Sequence, residues 1–432
     1  MTETIALEVS NLYKVFGRRP DDAVERLRGG ATRAEVETQK LGLAAVIDAS
    51  FSVRTGEIFV VMGLSGSGKS TLIRMLNGLL EPTAGSVTVL GTELSGAPSG
   101  TVRRVRREHV SMVFQHFALL PHRTVAENVA YGLEIQGVPA AARRLRALEI
   151  LGLVRLEGWG DKLPGELSGG MQQRVGLGRA LAADTDILLM DEAFSALDPL
   201  IRREMQEQLV ELQAKLGKTI VFITHDLNEA MYLGDRVAVM RDGRIVQLDT
   251  PERILTDPAN SYVEQFVHDV DRARVLTASS VMQPGRAVVT LSAGARAALR
   301  TLRDLQTSSA IVLGPNRTVL GAVRDRDVLG LVTRGEGDLS QVLHDDFAEV
   351  AADAPISELV GLSVENVLPV AVVDEGRRLL GVIPRVTLLA ALGNVPTTGE
   401  LPVMEPPATI PVDVVTQTLR ATADAVPAGG LR

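Results

Sequence analysis

The 432-residue sequence contains no cysteine. That excludes disulfides, thiolate zinc sites and a thiol nucleophile, and it fits a reducing compartment. An excess of positive charge is also missing: 45 Lys and Arg against 53 Asp and Glu leave a formal net charge of −8. A general nucleic-acid binder is therefore disfavoured, although local basic patches remain compatible. No apolar run approaches the ~18 residues that span a bilayer, so the chain reads as soluble, with any membrane role supplied by a partner. The first residues, "MTETIALEVSNLYKVFG", alternate apolar with polar and do not read as a signal peptide. What is present is an ordinary globular balance, 45% hydrophobic and 23% charged. The length suffices for two or three domains with cores of their own.

The segment "GEIFVVMGLSGSGKSTLIRMLNGL" begins at Gly56. Its apolar run Ile58 to Met62 predicts a buried strand of a parallel sheet. Gly63, Gly68, Lys69 and Ser70 then fit G-x-x-x-x-G-K-[ST], and the residues from Thr71 to Leu79 have helical spacing. Strand, glycine-rich loop, helix is the context a phosphate-binding loop requires. Its backbone N–H groups, with Ser65, Gly66 and Thr71 among the loop residues, wrap phosphates. Lys69 supplies a point charge, and Ser70 is placed to bind Mg2+.

A nucleotide held there needs a second metal contact and a hydrolytic group. In "DILLMDEAFSALDPLIRREM" the run Ile187 to Met190 predicts another buried strand. Asp191 and Glu192 emerge at its C-terminal end, where open α/β sheets place their ligands. Asp191 is the candidate metal ligand and Glu192 the candidate base that polarises water; the competing reading is a solvated acidic turn. "TIVFITHDLNEA" repeats the pattern and ends its strand at His225, either a structural histidine or one placed to contact a γ-phosphate.

A second anion site stands in "ELSGGMQQRVGLGRAL", where Ser168, Gly169 and Gly170 head a predicted helix. Together these segments resemble the ATPase subunits of ABC transporters, and "LSGGMQQR" resembles that family's signature motif. The resemblance explains the second site: Ser168, Gly169 and Gly170 would cap ATP bound to a facing subunit, so that two copies form composite sites. It also implies that Gln115, in "MVFQHFALLPH", contacts the metal and signals to membrane subunits, that Asp198 in "SALDP" is the D-loop residue, and that His225 is the switch histidine. Phe16 in "YKVFG" falls where the family stacks an aromatic ring on adenine; Tyr13 competes, and either could be a strand-end core aromatic. Glu192, His225 and Gln115 are then the catalytic set. Ser70, Gln115 and Asp191 are the Mg2+ set.

The resemblance narrows further to the glycine betaine/proline (quaternary amine) uptake branch. It rests on "IFVVMGLSGSGKSTLIRMLNGLLEPTAG", "DEAFSALDPLIRREMQ", the charged insert after "YKVFG", and Ala193. It implies an ATPase that energises solute import, a homodimer bound to two transmembrane permease subunits, an extracytoplasmic binding protein as an indirect partner, and a peripheral position at the cytoplasmic membrane face. Two departures are His116 after the glutamine, and Gly178 in place of a usual alanine in the signature helix.

Elsewhere, "TRAE" in the insert Arg18–Leu41 has capping-box spacing, which predicts short surface helices. Residues 115–164 read as mainly helical, with "AARRLRALEILGLV" amphipathic. "HFALLPHRTVAENV" serves either as the contact for a membrane subunit or as core. Beyond about Ala273, "AIVLGPNRTVLGAVRDRDVLGLV" and "VAVVDEGRRLLGVIPRVTLLAAL" match each other, with Gly321 and Gly381 in equivalent places. This repeat resembles a tandem pair of CBS modules, in which Asp327 and Thr387 stand where that family holds a nucleotide ribose; many such pairs bind nothing.

The expected fold is therefore α/β: an ABC-type P-loop ATPase domain with a helical subdomain over residues 1–272, then a tandem CBS pair over 276–395. A proline-rich tail over 396–432 reads as flexible, with one short helix near 412–425. Two alternatives are a soluble ABC ATPase acting on DNA or ribosomes, and a regulatory adenylate sensor. The first usually carries two fused halves or a long coiled coil, which this chain lacks. The intact acidic pair and signature argue against the second.

Overall fold

Two sheets share one core in the first part of the chain. The structure, a computed structural model, describes residues 4–393 except 116, 117, 196, 269, 366 and 367. It divides into two units, residues 1–270 and 271–432. The strands of the first are β1 (Ile5–Phe16), β2 (Leu43–Arg54), β3 (Ile58–Met62), β4 (Ala84–Val89), β5 (Thr92–Glu93), β6 (Val110–Val113), β7 (Ile187–Asp191), β8 (Thr219–Thr224), β9 (Arg236–Arg241) and β10 (Arg244–Asp249). An antiparallel sheet runs β2-β1-β4-β5, and a larger one runs β10-β9-β3-β8-β7-β6. The larger sheet is parallel from β6 to β9, and β10 closes its edge antiparallel.

β3 and β8 are buried along their whole length, as continuous apolar runs in a parallel sheet should be. Phe59, Val61, Leu189, Val221 and Ile223 pack with Leu72, Ile73 and Leu76 of the helix Lys69–Leu76, and with Leu7, Val9 and Val87 of the antiparallel sheet. Phe51 stacks on Phe59 across the sheets at 4.9 Å between centroids. This parallel order brings the C-terminal ends of β3, β7 and β8 side by side.

The insert forms two helices, Pro20–Arg28 and Arg33–Thr38, and the second carries the expected capping box between Thr32 and Glu35. It is more than a surface excursion. Ala23, Val24, Leu27 and Val36 are buried with Tyr13, Val15, Ala44 and Ile47 in a small core of its own.

The helical segment departs from expectation at its start. Helix begins at Val125, after a second capping box between Thr124 and Glu127, and not at Gln115. Leu119 and Leu120 are half-buried, neither core nor fully open. Helices Val125–Val129, Tyr131–Ile135, Ala140–Leu153 and Gly169–Ala182 follow. In Ala140–Leu153 the inward face is narrow: Ala147, Ile150 and Leu151 are buried, whereas Leu145 is 63% exposed.

The second unit holds β11 (Val288–Thr290), β12 (Ser309–Leu313), β13 (Val319–Arg324), β14 (Glu349–Ala351), β15 (Val370–Val373) and β16 (Leu379–Ile383). Each set of three has the same connectivity, the first strand parallel to the second and the second antiparallel to the third. Helices Gly294–Leu305 and Ile356–Glu365 join the first two strands of each set; Asp325–Arg334 and Arg385–Leu392 follow the third. The repeat is thus longer than the matching segments indicate. The two halves also cross-pair: Gln283 bridges to Val382, and His344 bridges back to Ala322. The proline-rich tail expected over 396–432 lies outside the described residues.

Candidate active site

The loop between β3 and the helix Lys69–Leu76 needs glycine at two positions for steric reasons. A Cβ on Gly63 would lie 2.3 Å from the Met240 carbonyl oxygen, and one on Gly68 would lie 2.1 Å from that of Ala45. Both glycines have positive φ, +154° and +106°. Lys69 is almost fully buried and its Nζ donates to the carbonyls of Gly63 at 2.8 Å and Leu64 at 3.1 Å. Burial pushes its ammonium below the usual lysine range, against the pull of Glu192 and Asp191. Ser65 and Gly66 are exposed at the loop's outer turn, and Thr71 sits in the first turn of the helix, its N–H donating to the Gly68 carbonyl.

Asp191 is the last residue of β7, and its Oδ1 accepts from Ser70 Oγ at 3.4 Å. Burial, then the neighbouring charge of Glu192, raises its carboxyl above the usual aspartate range. Glu192 follows with φ +46°, a left-handed conformation that costs a non-glycine residue roughly 1–2 kcal/mol. Its N–H donates to the Ile223 carbonyl at 2.9 Å, and its own carbonyl accepts from Ser195 Oγ at 2.9 Å. The strained turn therefore aims one carboxylate oxygen. Glu192 Oε2 lies 3.3 Å from Gln115 Nε2 and 3.1 Å from His225 Nδ1. Three residues drawn from three separate sequence segments meet at that single atom.

A family profile described as ABC transporter matches residues 46–195. The glycine betaine/carnitine transport ATP-binding protein GbuA of Listeria monocytogenes is 49% identical over 388 residues, 90% of this chain and 98% of its own. The glycine betaine/proline betaine transport system ATP-binding protein ProV of Escherichia coli is 46% identical over 392 residues, again 90% and 98%. This chain belongs to the ATP-binding subunits of ABC transporters. Among solved structures, cbiO1 of Clostridium perfringens, titled as part of the ABC transporter complex cbiONQ, superposes with a TM-score of 0.50 at 26% identity, covering 61% of this chain and 95% of that one.

In this ABC ATPase subunit the remaining predicted residues stand apart from the Glu192 cluster. Ser168 caps the helix Gly169–Ala182, accepting from Met171 N–H at 3.3 Å. Gly169 has open space around it, whereas a Cβ on Gly170 would meet Ile201 Cγ2 at 2.7 Å. Asp198 caps the helix Pro199–Leu216 through Ile201 N–H. Among the described residues, no hydrogen bond joins Ser168, Gly169, Gly170 or Asp198 to the loop Gly63–Ser70. The two aromatic candidates separate cleanly. Tyr13 is buried in the small core beneath Arg28, and Phe16 is 42% exposed at the end of β1 with Lys14 Nζ 5.3 Å from its ring centre.

In the second unit, Asp327 Oδ2 is paired with His344 Nε2 at 2.7 Å. Thr387 Oγ1 accepts from Gln283 Nε2 at 3.1 Å. Both groups are already engaged by side chains of the unit itself. Ser195 was missed from sequence; its only signal was its place three residues after Glu192. His116 lies outside the described residues.

Proposed function

We propose that this ABC ATPase subunit energises uptake of glycine betaine, proline betaine or a related quaternary amine. The convergence of Gln115 and His225 on Glu192 Oε2 carries the catalytic reading. Glu192 polarises the attacking water, while His225 and Gln115 hold that oxygen toward the phosphate loop. Lys69 exchanges its two carbonyl partners for phosphate oxygens, and Phe16, the exposed aromatic, stacks on adenine. Ser70 and Asp191 offer the hard oxygen donors that Mg2+ takes together with phosphates, and Gln115 completes that set. The metal, when bound, would neutralise charge developing on the transferred phosphoryl group.

Two copies pair so that Ser168, Gly169 and Gly170 of one close on the nucleotide of the other. The open space at Gly169 supports this reading. The assembly comprises two permease subunits, with a binding protein acting from outside, and this subunit lies on the cytoplasmic face. No described helix is long and apolar enough to cross a membrane.

The second unit acts as a regulatory CBS pair. Because Asp327 and Thr387 are both engaged internally, a charge-sensitive surface is favoured over a nucleotide as its input. The test is uptake of labelled glycine betaine by the reconstituted assembly at low and high salt. ATP-dependent uptake that rises with salt, and a flattened salt response when the chain ends at Asp271, are expected. Uptake of an unrelated solute in place of betaine would overturn the substrate reading.

A further inference from the structure

The phosphate loop is held from outside as well as from within. Leu64, Ser65 and Gly66 form its exposed outer turn, and Gly66 has φ +78° with open space where a side chain would stand. A glycine-rich turn of this kind has backbone freedom that must be lost on ligand binding, ~1–2 kcal/mol per residue fixed. Lys69 bonds the loop's inner carbonyls, but those bonds must be given up when the ammonium turns to phosphate. One other side chain, in no nucleotide motif, grips the same turn.

Arg33 Nη1 donates to the Gly66 carbonyl at 3.3 Å. Its Nε is tied to Glu37 Oε1 at 3.1 Å, so the guanidinium is aimed. Arg33 opens the helix Arg33–Thr38, which is pinned by the Thr32–Glu35 capping box and by Val36, fully buried in the insert's core.

We propose that Arg33 is a positioning residue that preorganises the phosphate loop, bracing Gly66 so that the turn keeps its shape when Lys69 releases its carbonyls. This rests on the reading that the loop binds ATP phosphates. The Arg33 guanidinium reaches Gly66 from outside the loop while its Nε stays paired with Glu37. The charged insert thereby acquires a task in nucleotide binding.

Arg33→Gln, made in the full chain, tests the proposal, with Arg33→Lys, which keeps the charge but not the aimed fork, as its companion. Arg33→Gln should raise the ATP Kd and KM roughly two- to tenfold, the range of one net hydrogen bond, with kcat at saturating ATP changed less than twofold. Wild-type Kd and KM in Arg33→Gln, or a loss confined to kcat, would overturn the proposal. Lys69→Ala in parallel should lose ATP binding. If it binds ATP as wild type does, the phosphate-loop reading falls, and this proposal with it.

Discussion

Glu229 is a buried carboxyl one turn beyond His225. Its Oε2 accepts from Thr224 Oγ1 at 2.5 Å and its Oε1 from Gln206 Nε2 at 3.1 Å. Burial holds its pKa above the usual glutamate range, and Asp226 adds to that, against the hydrogen bonds and Arg202. A group whose folded pKa is raised stabilises the fold fully below its unfolded pKa, about 4.3, and loses that contribution as pH rises through the folded value. Glu229→Gln removes the titration. The stability difference between wild type and variant should therefore shift toward the variant as pH climbs above ~4.5, then level off once the raised value is passed. Denaturant unfolding across a pH series measures it; parallel curves for the two proteins would contradict the assignment. The sequence placed Asp191, Glu192 and His225 at strand ends because buried parallel strands are continuous apolar runs. It carried no sign of the left-handed turn at Glu192, which is fixed by the bond from its N–H to Ile223 of the neighbouring strand β8; the support from Ser195 is local, and only its spacing from Glu192 hinted at it.

At the scale of elements, β3, β7 and β8 are legible for that same reason, and the helix Arg33–Thr38 is legible from its capping box. The start of the helical segment was placed too early, because the helix start signal, the Thr124–Glu127 capping box, sits nine residues beyond Gln115. β11 was hard to see: three residues cannot display a period, and the strand is fixed by pairing with β12. The signature helix offers a direct check on packing. Gly178 is buried within it, and a Cβ there would meet Ile150 and Val129 methyls at 3.4 Å and a Val154 methyl at 3.6 Å, ordinary contact distances. Gly178→Ala should stabilise the first unit by about 1 kcal/mol from helix propensity, a Tm rise of roughly 2–4 °C. A lowered Tm would mean that the three methyls cannot admit another.

For the whole molecule, the groups assigned to ATP chemistry come from Phe16 to His225, all in the first unit. The second unit repeats one topology twice, as its matching segments indicate, and cross-pairs its halves; the cross-pairing is invisible in the sequence because the bridges at Gln283 and His344 join segments far apart in the chain. Those same segments supply the partners of Thr387 and Asp327, which the family resemblance alone marked as open ligand groups. Hydrolysis at Glu192 is therefore the step on which every other assignment in the first unit depends. The deciding measurement is ATP binding and turnover by the full-length Glu192→Gln protein in the transporter assembly. The change is nearly isosteric and leaves Lys69, Ser70 and Asp191 in place, so ATP should bind with near wild-type affinity while turnover falls at least about a hundredfold. Wild-type turnover in the variant would contradict the account.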